Sequence, residues 1–200
     1  MGRDRHGRKR AVFLDRDGVI NRNVWNPKAS QYESPLTADD FQLLPGVLGA
    51  LAELQRAGFL LFVVSNQPNY AKGKSAIDAS AVIHRKLMTL ATSAGIIFAG
   101  CYYCFHHPEG SESGYAGACI CRKPSPYFLN HAREMFDIDM PNSWMIGDRE
   151  SDMQCGNAAG AQTIFIRNSR RTPVHTVADC SASRLSLAAQ WILASSQRAS

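Results

Sequence analysis

The first apolar run of the chain, AVFL, ends in Asp15, followed by Arg16, Asp17 and Gly18. Two carboxylates at positions i and i+2, where the backbone leaves a strand, can divide a displacement at phosphorus between them. One aspartate attacks as nucleophile and forms an acyl phosphate, which splits one hard step into two easier ones. The other carboxyl protonates the leaving alkoxide and then activates the water that hydrolyses the intermediate. A second acidic pair, Asp148 and Asp152, lies in the segment GDRESD, again directly after an apolar run. Four acidic side chains at one sheet edge repel unless a hard cation sits among them, and Mg²⁺ takes oxygen ligands in near-octahedral geometry. Taken singly, the first segment also reads as a tight turn eased by Gly18, and the second as a helix start capped by Asp148. Found together, each after an apolar strand, they favour a metal-assisted site.

Phosphoryl oxygens also need donors and fixed cations. Ser65 and Asn66 bring a hydroxyl, an amide and backbone N–H groups straight after another apolar run. Arg122 and Lys123 precede Pro124 and the start of a helical pattern, and Lys123, as a compact point charge, suits the transferring phosphoryl group. Alone, the SN pair is an ordinary loop start and the RKP triplet is surface charge.

The six cysteines are unevenly spread, with Cys101, Cys104, Cys119 and Cys121 in one stretch and Cys155 and Cys180 apart from it. In a reducing compartment a disulfide framework is not expected, so this clustering points to metal. Cys104 and His106 stand at i and i+2, as do Cys119 and Cys121, and alternate residues of an extended segment point the same way. Three thiolates and one imidazole make a closed tetrahedral zinc site, structural because no position is left open for water. A site using Cys101, a site using His107 in place of His106, and free buried cysteines are the competing readings. The loop ends where Arg122 and Lys123 begin, so an ion there would help aim these cations.

The residues after each apolar run matter because ligands of open parallel sheets bind beyond the carboxyl ends of the strands. Segments 11–15, 59–65, 143–148 and 163–167 read as buried strands. Between them, apolar spacings of three and four predict helices over 46–56, about 76–93, 126–136, 151–159 and 184–194. This alternation predicts an α/β fold, a three-layer Rossmann-like parallel sheet with helices on both faces. Two long stretches, 22–44 and 101–123, read as irregular, and loops of that length commonly carry function. Neither has room for an independent fold, so no large cap domain is expected, and without repeats or linkers residues 11–200 read as one domain.

Composition agrees: 45% hydrophobic and 20% charged residues over 200 suit a compact globular chain. No apolar run approaches a membrane span, and the charged start MGRDRHGRKR lacks the apolar stretch of a secretory signal, so a cytoplasmic location is expected. The net charge of +5 is concentrated in that start, through Arg3, Arg5, Arg8, Lys9 and Arg10. Without interleaved aromatic residues, residues 1–10 read as a disordered, solvated tail in preference to a nucleic-acid arm.

The four segments DRDGV, SN, RKP and GDRESD, in this order and strand context, resemble the motifs of the haloacid dehalogenase superfamily, and the resemblance runs from about residue 11 to 167. It implies Asp15 as nucleophile and Mg²⁺ ligand, Asp17 as acid/base that also lends its backbone carbonyl to Mg²⁺, and Asp148 as metal ligand. It further implies Ser65 on the phosphoryl group, Lys123 between nucleophile and phosphate, Asp152 behind the metal or Lys123, and Arg149 facing substrate phosphate. The CxH…CxC loop running into CRKP is similar to that of the heptose-bisphosphate and histidinol-phosphate phosphatase branch. Its CxHHP start favours the heptose members, which remove the 7-phosphate of D-glycero-D-manno-heptose 1,7-bisphosphate in carbohydrate synthesis such as that of lipopolysaccharide. By that resemblance Arg122 binds the second phosphate and Asn66 contacts the sugar.

Three segments depart from that branch: SNQPNYAKGK after the second strand, Phe105 in place of a usual proline, and the extended stretch after the first motif. The alternative substrates are histidinol phosphate and a polynucleotide 3′-phosphate. A zinc-stabilised nucleic-acid-binding module and a phospho-accepting signalling domain are the alternatives of other classes, although the latter has no need of Asp17. The expected partner is a small phosphorylated sugar, bound by a monomer, without membrane or nucleic acid.

Overall fold

The computed structural model describes residues 7–27, 30–167 and 177–198. Residues 1–6 of the expected tail lie outside this set. Lys9 and Arg10, assigned to that tail from sequence, are laid into the fold. The Lys9 N–H donates to Asp137 O at 3.0 Å, and the Arg10 guanidinium sits 4.5 Å over the Phe59 ring.

The sheet is built from β1 (Ala11–Leu14), β4 (Leu60–Asn66), β5 (Phe98–Cys104), β6 (Trp144–Gly147), β7 (Gln162–Ile166) and β8 (Cys180–Ala182). Its order is β5-β4-β1-β6-β7-β8 and every pairing is parallel. Strand β1 shows why the run AVFL had to lie at the centre: Val12 and Leu14 enter one apolar cluster, Ala11 and Phe13 the other, and all four are fully buried. Strands covered on both faces need apolar residues on both alternations.

The first cluster takes its helical side chains from α1 (Val47–Arg56), α2 (Ile77–Ser93) and α5 (Leu185–Arg198), the second from α3 (Tyr127–Phe136) and α4 (Glu150–Ala159). The result is the expected three-layer arrangement. Four strands and all five helices match the sequence expectation closely. Two strands of this sheet were not expected. The β5 sequence FAGCYYC mixes small and aromatic residues without a clear period, and β8 is a three-residue edge strand.

The stretch expected to be irregular over 22–44 contains an antiparallel hairpin, β2 (Val24–Asn26) and β3 (Gln31–Glu33), closed by an edge-on contact of Trp25 with Tyr32. The second long stretch begins as strand β5, and its irregular part starts only after Cys104. Among the described residues no helix is long and apolar enough to cross a membrane.

Candidate active site

Strands β1, β4 and β6 are adjacent, so the residues following them meet at one edge, and β1 lies where the chain order changes direction, the usual ligand position of such sheets. Asp15 follows β1, Ser65 and Asn66 end β4, and Asp148 follows β6. Asp15 is 5% exposed, Ser65 2% and Asp148 2%. Ser65 Oγ donates to Asp15 Oδ1 at 2.7 Å. From the segment leading into α3, Lys123 reaches the same oxygen at 3.0 Å, Asp152 Oδ1 at 2.6 Å and the Val64 carbonyl at 2.6 Å.

Burial alone would lower the Lys123 ammonium, but Asp15 and Asp152 override it and hold the group above its ordinary value. Burial and the Asp15 charge push Asp152 up, against the opposing pull of Lys123. Removing the lysine from such a buried set leaves its two carboxylates uncompensated, at a cost of about 3–5 kcal/mol.

Two glycines make this approach possible. A Cβ on Gly147 would lie 2.1 Å from Asp152 Cβ, so the first residue of GDRESD must lack one for α4 to seat its acid beneath β6. Gly18 has φ +90°, and a Cβ there would lie 2.2 Å from Asp148 Oδ2. The N-cap of α4 is Arg149, whose N–H donates to Asp152 Oδ2 at 3.0 Å, so Asp148 is left to face Asp15.

One carboxylate oxygen each of Asp15, Asp148 and Asp152 lie within 4.8 Å of one another. This all-oxygen, buried donor set, with the space that Gly18 leaves beside Asp148, fits a small hard cation such as Mg²⁺. The Asp17 side chain is absent from that cluster. Its Oδ1 accepts from Arg16 Nη2 at 3.1 Å and Asn21 Nδ2 at 2.9 Å, and its Oδ2 from Gln67 Nε2 at 2.6 Å. Burial works upward on this carboxyl, but Arg16 and the amide and hydroxyl donors, Ser34 among them, prevail and hold it below the usual carboxylate range.

The remaining expected residues divide. The Asn66 amide donates to Lys123 O at 3.1 Å and accepts from Lys123 N at 3.0 Å, a clamp on the lysine backbone. Asn66, Arg122 and Arg149 all line the site cavity of about 280 Å³, and Arg122 also holds the His106 carbonyl at 3.0 Å. The cavity is further lined by Tyr32, Glu33 and Ser34 from the extended stretch after the first motif and by Lys72 and Lys74 from SNQPNYAKGK, two of the segments whose departure the sequence already marked. Glu33 on the hairpin is ion-paired with Lys74, which joins the two walls. Arg16, 1% exposed, and Gln67, 3% exposed, were missed; an arginine between two aspartates is the signal that could have found the first.

In the cysteine loop one ligand atom each of Cys104, His106, Cys119 and Cys121 lie within 4.8 Å of one another. The sulfur of Cys119 is 3.3 Å from that of Cys104 and 3.4 Å from that of Cys121. His106 Nδ1 is buried without a hydrogen-bond partner among the described residues. Cys101 lies outside the cluster, its thiol pushed up to about 11 by burial despite a hydrogen bond to the Val63 backbone. His107 Nδ1 accepts from the Glu109 N–H at 3.0 Å.

Residues 120–186 match the HAD-hydrolase-like family. The chain is 40% identical over 163 residues to the D-glycero-beta-D-manno-heptose-1,7-bisphosphate 7-phosphatase of Vibrio cholerae, covering 81% of this chain and 83% of that protein. It is 36% identical over 184 residues to the protein of the same name from Escherichia coli K12, covering 92% and 87%. The chain belongs to the haloacid dehalogenase-like phosphatases.

Its fold is likewise that of a solved D,D-heptose 1,7-bisphosphate phosphatase from B. bronchiseptica in complex with magnesium and phosphate. The TM-score is 0.73 at 26% identity, with 93% of this chain and 99% of that one covered. As a haloacid dehalogenase-like phosphatase the chain is a phosphoric monoester hydrolase, and Mg²⁺ and an aspartyl-phosphate intermediate are general features of that superfamily.

Proposed function

We propose that this chain removes the 7-phosphate of D-glycero-D-manno-heptose 1,7-bisphosphate, with preference for the β anomer, through a phosphoryl group carried on Asp15. The observation that carries the reading is the Asp15 carboxylate held by Ser65 and Lys123 at the mouth of a cation-lined cavity, in a chain similar to proteins named for that substrate. A free Asp15 oxygen attacks phosphorus, and the bond to the sugar oxygen breaks with its electron pair on that oxygen. Asp17 gives the alkoxide a proton and takes one back from the water that splits the acyl phosphate. At rest its donors favour the carboxylate, and the charge of an arriving phosphate pushes the group back up toward the acid form.

Ser65 and Lys123 hold the equatorial oxygens as charge develops on them. Asp15, Asp148 and the Asp17 carbonyl would hold Mg²⁺, with Asp152 behind, and the ion would supply charge neutralisation at the phosphoryl oxygens. Asn66, Arg122, Arg149, Lys72 and Lys74 would face the second phosphate or the sugar, and Asn66 also holds Lys123. The small cavity suits a metabolite taken up without a separate cap domain. We assign Cys104, His106, Cys119 and Cys121 to one structural zinc, supported by the unpartnered His106 Nδ1 and the soft donor set. A monomer working in the cytoplasm completes the reading.

A phosphate-release screen over both anomers of the heptose bisphosphate, histidinol phosphate and 3′-phosphorylated oligonucleotides tests it. The highest kcat/KM is expected on the β-heptose bisphosphate, with the 1-phosphate retained; preference for either of the other two classes would overturn the assignment.

A further inference from the structure

The hydrogen bonds around Gln67 run in one direction only. Its Oε1 accepts from Arg16 Nη2 at 2.7 Å, and because a guanidinium can only donate, the orientation of the amide is fixed. Nε2 must therefore face the other way, and there it donates to Asp17 Oδ2 at 2.6 Å and to Ser65 Oγ at 3.0 Å. With Gln67 donating into its oxygen, the Ser65 hydroxyl proton is directed to Asp15 Oδ1, 2.7 Å away. One side chain thus orders the donors on both aspartates of the first motif.

Arg16 carries this order from behind. It is 1% exposed, forks onto both oxygens of Asp17 at 3.1 Å, and its guanidinium lies 5.9 Å from the Tyr103 ring centre on β5. The Tyr103 hydroxyl is in turn 3.1 Å from His84 Nδ1 on α2. Asn21 completes the cradle at 2.9 Å. A carboxylate bound through both oxygens to four side chains, Ser34 included, has little rotational freedom about its own bond, so the cradle decides where its oxygens point.

From this geometry we propose that Gln67 is a positioning residue for catalysis, which with Arg16 sets the Asp17 carboxyl at the angle from which it serves the leaving oxygen and the water. The proposal rests on the phosphatase reading above. In the first half-reaction an Asp15 oxygen bonds to phosphorus, the phosphorus–oxygen bond to the sugar breaks, and the sugar oxygen takes the Asp17 proton. In the second, water bonds to phosphorus and gives its proton to Asp17, and the bond to Asp15 breaks with its electron pair returning to the carboxylate. Gln67 does not line the cavity, and the Ser65 bond to Asp15 can form without it, so its removal should fall chiefly on the events in which Asp17 moves a proton.

Leaving-group chemistry separates these events. A nitrophenolate departs without a proton, whereas a sugar alkoxide needs one. The test compares wild type, Gln67→Met and Gln67→Glu in the full chain with magnesium, in single turnovers with enzyme in excess. One substrate is p-nitrophenyl phosphate and the other a heptose or hexose phosphate, with thermal midpoints as a check on folding. Sugar release is expected to fall about 100-fold in both variants, within the usual range for an acid/base group. Release of p-nitrophenolate should stay within about threefold of wild type, as should KM for the sugar phosphate. Equal losses on both substrates, or none on either, in folded variants would overturn the positioning role while leaving the phosphatase reading intact. A wild-type protein that releases phosphate from neither substrate would overturn both.

Discussion

The carboxylate centre and the cysteine cluster are both sets of side chains that repel when ionised, but the fold treats them differently. Asp15, Asp148 and Asp152 extend from the ends of β1 and β6 and the first turn of α4, and Lys123 already offsets their charge from within hydrogen-bonding distance of two of them. Cys119 and Cys121 sit on a loop outside the sheet, and only Cys104, the last residue of β5, ties the cluster to regular structure. The difference teaches what a metal would do in each. At the first site a cation adds chemistry to a preformed frame; at the second it supplies the frame.

Substitutions at the two sites should therefore fail in different ways. The largest effect is expected for Asp15→Asn, which should lower kcat by about 10⁴-fold or more with the thermal midpoint little changed, as for loss of a nucleophile from an intact scaffold. Activity near wild type would remove Asp15 from the mechanism. Next comes Lys123→Met, which leaves two buried carboxylates facing each other. It should cost about 3–5 kcal/mol in denaturant unfolding as well as activity, and unchanged stability would show that Lys123 is not the counter-charge of the frame.

At the other site, Cys119→Ser should reduce zinc from one per chain to none by elemental analysis. It should loosen the segment carrying Arg122, with an expected rise in KM of about tenfold, or ~1.4 kcal/mol of binding. In the intact protein, mild chelation should strip magnesium and activity while zinc stays. Zinc lost in step with magnesium would erase the contrast between the two sites.

The smallest effect belongs to the rim. The Lys74 ion pair and the Asn26 and Gln31 amides hold the Glu33 carboxyl down to about 2, against the upward push of burial. A folded-state value below the unfolded one contributes stability above the unfolded value, and this is lost as pH falls through the folded one. Glu33→Gln should therefore be slightly less stable than wild type at neutral pH, by under about 1 kcal/mol since Lys74 is partly solvated. The two proteins should converge between about pH 4.5 and 2 in thermal scans. Parallel curves over that range would show that the pair does not hold the hairpin to the loop.

Both clusters were readable in the sequence because their chemistry is local: DRDG, GDRESD and the CxH and CxC pairs each place donors within a few residues of one another. The central strands were equally plain, since burial on both faces writes long apolar runs such as LLFVV. What stayed hidden depends on contacts between distant segments. Arg16 looked like spacing between two acids until Gln67, 51 positions on, and Tyr103 enclosed it. The hairpin wall depends on Glu33 meeting Lys74, 41 positions later, and no local period announces that. Edge strand β8 is too short to carry a pattern.

The central claim is a phosphoryl group on Asp15, and its direct test is capture. Asp17→Asn should form the acyl phosphate from p-nitrophenyl phosphate, which needs no acid, yet hydrolyse it slowly for want of a base. Acid quenching during turnover, borohydride reduction and peptide mass analysis should then find homoserine in place of aspartate at position 15 alone. Steady release of phosphate with Asp15 unmodified, or reduction at another carboxyl, would contradict the account.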